Sequence, residues 1–337
     1  MRVGAFVLAA QFPGQGQGEA LHRAVRTAEV GEESGLDAVW LAEHHFVPYG
    51  VCPSAVTLAG LLLGRTRRLR VGTAVSVLPN VHPVALGEQA ALLHLISGGR
   101  FSLGVGRGGP WVDLEVFGNG LRAFEEDFPE SLDLLLRWLR ESRVGAAGGR
   151  FTFREVAVVP RPDELLDTAG PEVVVACTSP RSVQLAGERG LPMLLGMHTG
   201  DGEKAEMVAL WRTYACAAGH DPRVSHVSAG VAQIADTAAE ARESLVKAMP
   251  GWLRQGLGAH VTVDGRERPM RDPVAYTDLL CGMHPVGSPR LAADRLAATA
   301  ERTGITRFAL LVEGSGDLAT TEENVRRLGA DVLPLVD

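Results

Sequence analysis

Cysteine is scarce in this 337-residue chain, and the four present, Cys52, Cys177, Cys216 and Cys281, stand far apart with no C-x-x-C pair. That spacing argues against a disulfide framework and against a zinc site, and it fits reduced thiols in the cytoplasm. Lysine is rarer still: Lys204 and Lys247 are the only two, so the other 31 of the 33 basic residues are arginine. The bias is that of a GC-rich genome and carries no chemistry. No apolar run approaches the roughly 20 residues of a membrane span, and no basic run is interleaved with aromatics, so neither a membrane nor nucleic acid is an expected partner. Internal repeats and low-complexity tracts are also missing. The opening "MRVGAFVLAA" has one arginine and a short apolar core and runs straight into "QFPGQGQG", a pattern that does not suit a secretion signal. What is present is 46% apolar residues, a net charge of -7 and a pI near 5.8, the profile of a soluble globular protein with a sizeable core.

Apolar runs of strand length recur at 3–8, 38–42, 69–77, 101–105, 173–177, 193–196, 226–235 and 308–313. Helical periodicity lies between most of them. Leu21, Val25 and Ala28 mark one apolar face with Gly35 as its C-cap, and Pro83 opens another helix that stops at Gly98 and Gly99. Near-continuous apolar strands joined by helices imply a buried parallel sheet. Eight such units predict an α/β fold, a (β/α)₈ TIM barrel occupying 1–337 as one domain, with a doubly wound open sheet as the alternative. Two segments break the repeat. Residues 148–160 alternate at period two and read as an extra hairpin after a long helix over 124–140. Residues 249–285 read as a long loop after strand seven, a lid or a mobile segment beside the barrel mouth. The stretch 264–272 within it is expected to be the most mobile part.

The loops after the C-terminal strand ends build the site of a barrel enzyme. The chain's most distinctive polar clusters fall there: Glu43-His44-His45, Gly106-Arg107-Gly108 and Thr178-Ser179. Adjacent side chains at a strand end point to opposite faces, so the two histidines do not suit one metal ion, and no metal is expected. One histidine at a barrel mouth suits acid/base chemistry near neutral pH, with Glu43 to orient it; a hydrogen-bonded structural pair is the alternative. "GVGRGG" (104–109) matches G-x-G-x-x-G, but Pro110-Trp111 follows where a dinucleotide fingerprint would open a helix. Its glycines better suit close approach to a planar ligand, with Arg107 as a charge for phosphate; a surface salt bridge is the alternative for that arginine.

The blocks "GLDAVWLAEHHF", "LRVGTAVSVLPNVHPV", "GGRFSLGVGRG", "EVFG", "ERGLPMLLG", "HPVGSP" and "DVLPLV" occur in the order found in one family. In them the chain resembles the bacterial luciferase-like flavin-dependent monooxygenases, and among these the catalytic alpha subunits. The resemblance covers nearly the whole length. It implies a TIM barrel that takes reduced FMN at the strand C-termini, reacts it with O₂ to a 4a-hydroperoxyflavin and oxygenates an organic substrate. Position by position, it implies that His44 is catalytic, that Glu43 lies near the flavin, and that Ala74-Val75 is a non-proline cis peptide facing the ring. Arg107 and Thr178 would bind the phosphate, with Ser179 and Arg181 as helpers, and Trp252 would belong to the substrate and flavin pocket. His45, His82 and Glu88 would face a second subunit, so a homodimer through the helices around 53–64 and 83–97 is expected, as is a flavin reductase that supplies reduced FMN.

Gly106 stands where luciferase has a reactive cysteine, Cys177 where it has an acid, and Met197 where it has a pocket tryptophan. These changes at flavin- and substrate-facing positions weaken the expectation of luciferase's fatty-aldehyde substrate and of light emission. They favour oxygenation of a small-molecule natural product, as in antibiotic biosynthesis. Three other readings remain at this level: a luciferase-type long-chain aldehyde monooxygenase, a deazaflavin-dependent oxidoreductase that transfers hydride without oxygen, and a non-catalytic flavin-binding protein.

Overall fold

The computed structural model describes residues 1–164, 170–266 and 268–336. Its centre is a closed barrel of parallel strands: β1 (Arg2–Val7), β2 (Ala38–Leu41), β3 (Arg70–Thr73), β4 (Phe101–Gly106), β5 (Glu172–Cys177), β6 (Met193–Leu195), β7 (Val227–Val231) and β8 (Arg307–Leu311). Each pairs in parallel with the next, β8 pairs with β1, and β3 pairs with β4, so no edge is left open. All eight apolar runs are barrel strands, and the structure is the (β/α)₈ barrel rather than the open sheet.

The continuous apolar character of these runs follows from burial on both faces. Along β1, Val3, Ala5 and Val7 point outward to the helices, while Phe6 and then Leu8 point into the barrel. Phe308 and Leu310 of β8 face out, Ala309 and Leu311 in. The barrel interior is therefore a packed core of its own, joined at its C-terminal end by Trp252 and Leu253. Gly72 is needed for this packing, because a Cβ there would sit 2.5 Å from the Trp40 ring.

Helix starts follow local chemistry. Ser54, Ser179, Thr237, Asp272, Ser288 and Asp317 each accept a backbone N–H at an N-cap, and Pro83, Pro180, Pro273 and Pro289 open helices where no intrahelical N–H is required. The helix Gln17–Glu33 ends with Ser34 as its cap and Gly35 just beyond at φ 80°. The helix Pro83–Ile96 ends before Gly98 and Gly99, both at positive φ.

Three boundaries differ from the sequence reading. The extra hairpin is present, but its strands are Arg143–Ala147 and Thr152–Ala157, so it starts earlier than 148. The helix expected over 124–140 is two, Gly120–Glu125 and Phe128–Arg140, the second opened by Pro129 in its first turn. The connection expected as a loop over 249–285 is largely helical: Ala238–Gly258 runs through Pro250, and Pro273–Met283 follows. An interior proline costs a helix about 3 kcal/mol. Burial of Met249, Pro250, Trp252 and Leu253 on one side offsets that cost, which no local signal reveals. Only 259–272 is irregular, and of it Glu267 lies outside the described residues, so the mobility expected over 264–272 falls partly outside them.

Candidate active site

The loops after β2, β3, β4, β5 and β6, the end of the helix Ala238–Gly258 and the segment 268–271 surround a cavity of about 620 Å³ at the C-terminal barrel mouth. A smaller cavity of about 230 Å³ lies between the loops after β4 and β5. The two share Val75, Gly108, Ala176 and Thr178 in their walls.

His44 lines the larger cavity. Its Nδ1 is shut off from solvent and has no hydrogen-bond partner among the described residues. Tyr49 meets the ring edge-on with centroids 5.0 Å apart, and Gly50 leaves room for it, since a Cβ there would lie 2.7 Å from Nδ1. Burial, helped by the neighbouring His260 and His45, pushes the imidazole down to about 3, so the ring is neutral at pH 7. Glu43 also reaches the wall, but its Oε2 accepts from Ala55 N at 3.1 Å and its Oε1 from Val77 N at 3.0 Å. The carboxylate thus ties the start of the helix Ala55–Arg65 to the loop after β3, which makes Glu43 a positioning group rather than a free acid. Both adjacent histidines reach the cavity wall, and the His45 ring packs edge-on against the half-exposed Phe117, with Nε2 3.6 Å from Glu43. His82 and Glu88 are exposed.

The loop after β3 carries a cis peptide at Ala74-Val75, and both residues line the larger cavity. Gly106 of β4 backs Val75 from the smaller cavity, where a Cβ would meet the Val75 side chain at 2.5 Å. Beyond it, Arg107, Arg181, Thr178 and Ser179 line the smaller cavity, at the N-terminus of the helix Pro180–Glu188. Neither guanidinium makes an ion pair among the described residues; Arg107 lies over the Phe124 ring at 4.2 Å and is held below its ordinary pKa by burial and by Arg181. Two such arginines, two hydroxyls and a helix N-terminus are the donor set of an anion site.

Two site expectations fail. Cys177 faces the outer core, its thiol toward Ser182 O at 3.3 Å and pushed up to about 12 by burial, and it lines neither cavity. It is the last strand residue and takes the outward register, whereas Ala176 takes the inward one. Trp252 is fully buried behind Tyr49, stacked at 4.8 Å with its Nε1 donating to Tyr49 O, and Tyr49 is the aromatic that lines the cavity. Met197 lines it as expected, with His198 beside it. Trp111, Asp113, His260, Arg268, Arg271 and Tyr276 also line it and were not singled out in the sequence. Arg268 and Arg271 belong to the charged stretch expected beside the barrel mouth, and His198 adjoins Met197 as Tyr49 nearly adjoins the E-H-H triplet; the others had no local signal.

A closed parallel barrel with convergent polar groups, an apolar cavity and an anion site at its C-terminal mouth belongs to the TIM-barrel enzymes. The luciferase-like monooxygenase family model matches residues 1–307, and the chain belongs to that family. It is 29% identical to the alkanal monooxygenase alpha chain of Photorhabdus luminescens over 100% of this chain and 98% of that one. It is 30% identical to the 4-hydroxyprotoasukamycin monooxygenase of Streptomyces nodosus subsp. asukaensis over 74% of this chain and 68% of that one. Its fold matches the oxygenating constituent of the Pseudomonas putida 3,6-diketocamphane monooxygenase in complex with FMN, at a TM-score of 0.77 and 20% identity over 99% and 98% of the two chains. No described helix is long and apolar enough to cross a membrane.

Proposed function

We propose that this monooxygenase uses reduced FMN, delivered by a separate flavin reductase, and O₂ to oxygenate an apolar small molecule of natural-product type. The observation that carries the reading is the junction of the two cavities. The smaller presents Arg107, Arg181, Thr178 and Ser179 to a phosphate, and the shared wall of Val75, Gly108 and Ala176 continues into an apolar slot beside Ala74 and Gly106 that suits a planar ring system. The donor set fits the phosphate of FMN, and the apolar slot fits its ring system. The similarity to the 4-hydroxyprotoasukamycin monooxygenase and the fold match that binds FMN support the same reading. When bound, reduced FMN supplies the two electrons that send one oxygen atom of O₂ to water and leave the other for the substrate.

This chain's own residues then do three things. Arg107 and Arg181 would hold the phosphate and so set where the ring can lie relative to Ala74 and Val75. Arg268, Pro269 and Met270 line the larger cavity from its exposed side, and a rim that shields the site from water would let the oxygen reach the substrate rather than escape as hydrogen peroxide. His44, neutral at pH 7, takes up and returns a proton at Nε2, the ring nitrogen not sealed behind Gly50.

The test is product analysis by mass spectrometry with reduced FMN, O₂ and a panel of aldehydes and aromatic polyketides, comparing wild type with His44→Ala. The expected result is substrate-dependent oxygen consumption in the wild type and a loss of about 10²- to 10⁴-fold in product formation in the variant, with FMN affinity kept. Tight FMN binding with no substrate-dependent oxygen uptake would make the chain a flavin-binding protein, and activity with a reduced deazaflavin alone would make it a hydride-transfer enzyme.

A further inference from the structure

The larger cavity has two chemically different parts. Its inner wall, shared with the barrel core, is Phe6, Leu8, Ala74, Leu194, Met197 and Ala229. Its rim carries the exposed His198, Arg268 and Arg271, together with Tyr276. The two arginines are used differently. Arg268 is paired with Asp264 and lies over the Trp111 ring at 5.4 Å. Arg271 makes no ion pair among the described residues, and its guanidinium lies 5.4 Å over the Tyr276 ring.

Three nearby carboxylates have partners among the described residues, and the exposed Glu203 bears on His198. Asp272, next in the chain, accepts from Ala275 N at 2.7 Å as the cap of the helix Pro273–Met283. Of the acids in the cavity wall, Glu43 holds two backbone N–H groups, and Asp113 accepts from Asn80 at 2.6 Å. The positive charge is felt around the rim: after burial, Arg271 is the next cause that holds His198 below its ordinary pKa, and at Tyr276 it works against the upward push of burial. A guanidinium stacked on a ring keeps its in-plane N–H donors free, the geometry that reads a planar oxyanion bidentately. Arg107 and Arg181 do not serve this part, since they line the smaller cavity only.

We propose that the substrate is an apolar molecule bearing an oxyanion, a carboxylate or a phenolate, and that Arg271 is the residue that selects for it. This rests on the placement of the substrate in the larger cavity under the proposed function. The apolar body fills the inner wall, and the oxyanion stays at the rim, where Arg271 orients the molecule so that its far end faces His44. Specificity then arises because a neutral analogue offers Arg271 no opposite charge and forgoes a charge-assisted pair.

The test uses calorimetric titration of the full chain with 2-naphthoate and with methyl 2-naphthoate, with and without FMN, in wild type, Arg271→Gln, Arg271→Lys and Arg266→Gln. Arg266 lies in the same segment, is exposed and lines neither cavity. The expected result is a preference for the carboxylate of about tenfold or more in the wild type, the scale of one charge-assisted pair. Arg271→Gln abolishes it without moving the ester's Kd, Arg271→Lys keeps most of it, and Arg266→Gln keeps all of it. The unmoved ester affinity shows that the variant is folded. Equal binding of the two probes by the wild type, or an undiminished preference in Arg271→Gln, overturns the proposal. FMN titrated alone reports separately on the flavin site: absent FMN binding with the naphthoate preference intact removes the flavin reading and supports this one.

Discussion

Replacing Gly50 by alanine places a methyl group between the end of β1 and the catalytic candidate His44. The new Cβ would stand 2.5 Å from Leu8 O and 2.7 Å from His44 Nδ1. The carbonyl belongs to a strand end that the barrel holds in place, whereas the imidazole has no hydrogen bond at Nδ1 to resist a shift. The strain therefore falls on the histidine and on the turn that carries Tyr49. Overpacking of this kind costs about 1–3 kcal/mol. The expected outcome is a fall in stability of that order by chemical denaturation, with a loss of product formation approaching that of His44→Ala. FMN affinity stays within a few fold, because the residues proposed to bind its phosphate, Arg107, Thr178, Ser179 and Arg181, are carried by other loops. The assay is product formed per O₂ consumed, beside a denaturant titration of the same preparation. A Gly50→Ala protein with full coupling and stability within about 0.5 kcal/mol of wild type, the range of neutral surface changes, would refute the placement of His44 against this turn.

Arg107→Ala should weaken FMN about tenfold to a hundredfold while riboflavin binding hardly changes, since only FMN offers a phosphate to the guanidinium; equal losses by fluorescence titration would move Arg107 out of the anion site. Acid should destabilise the fold: burial pushes His226 and His284 down to about 4 and His44 to about 3, so as pH falls below 6.5, the ordinary histidine value, the unfolded chain takes up protons that the folded chain refuses. These rings leave stability unchanged above pH 6.5 and lower it progressively toward pH 4, by on the order of 3 kcal/mol for each of His226 and His284, so urea midpoints unchanged from pH 7 to 5 would contradict it. Leu61, Leu92 and Ile96 are exposed apolar residues on the helices Ala55–Arg65 and Pro83–Ile96, and a homodimer by light scattering that Ile96→Asp converts to monomer is expected; a wild-type monomer at micromolar concentration would reject that surface.

Much of the fold was legible because its strands are buried on both faces and its helices announce their ends. Runs such as 101–105 and 308–313 need no partner to be recognised, and Pro83, Ser288 and Gly35 act through local backbone chemistry. The grouping of Arg107, Thr178, Ser179 and Arg181 in one cavity was legible for a related reason: they sit on loops just after strand ends, so strand register alone delivers them to one mouth. Tertiary structure decided the rest. Pro250 lies inside a helix because the packing of Trp252 and Leu253 outweighs a local penalty that the sequence shows plainly. Trp252 lies behind Tyr49, and Cys177 points away from both cavities, because one residue of register or one layer of packing separates lining from support. Arg271 reaches the cavity rim only because two helices return the chain across the barrel mouth, and a contact made over such a distance leaves no periodic trace in the sequence.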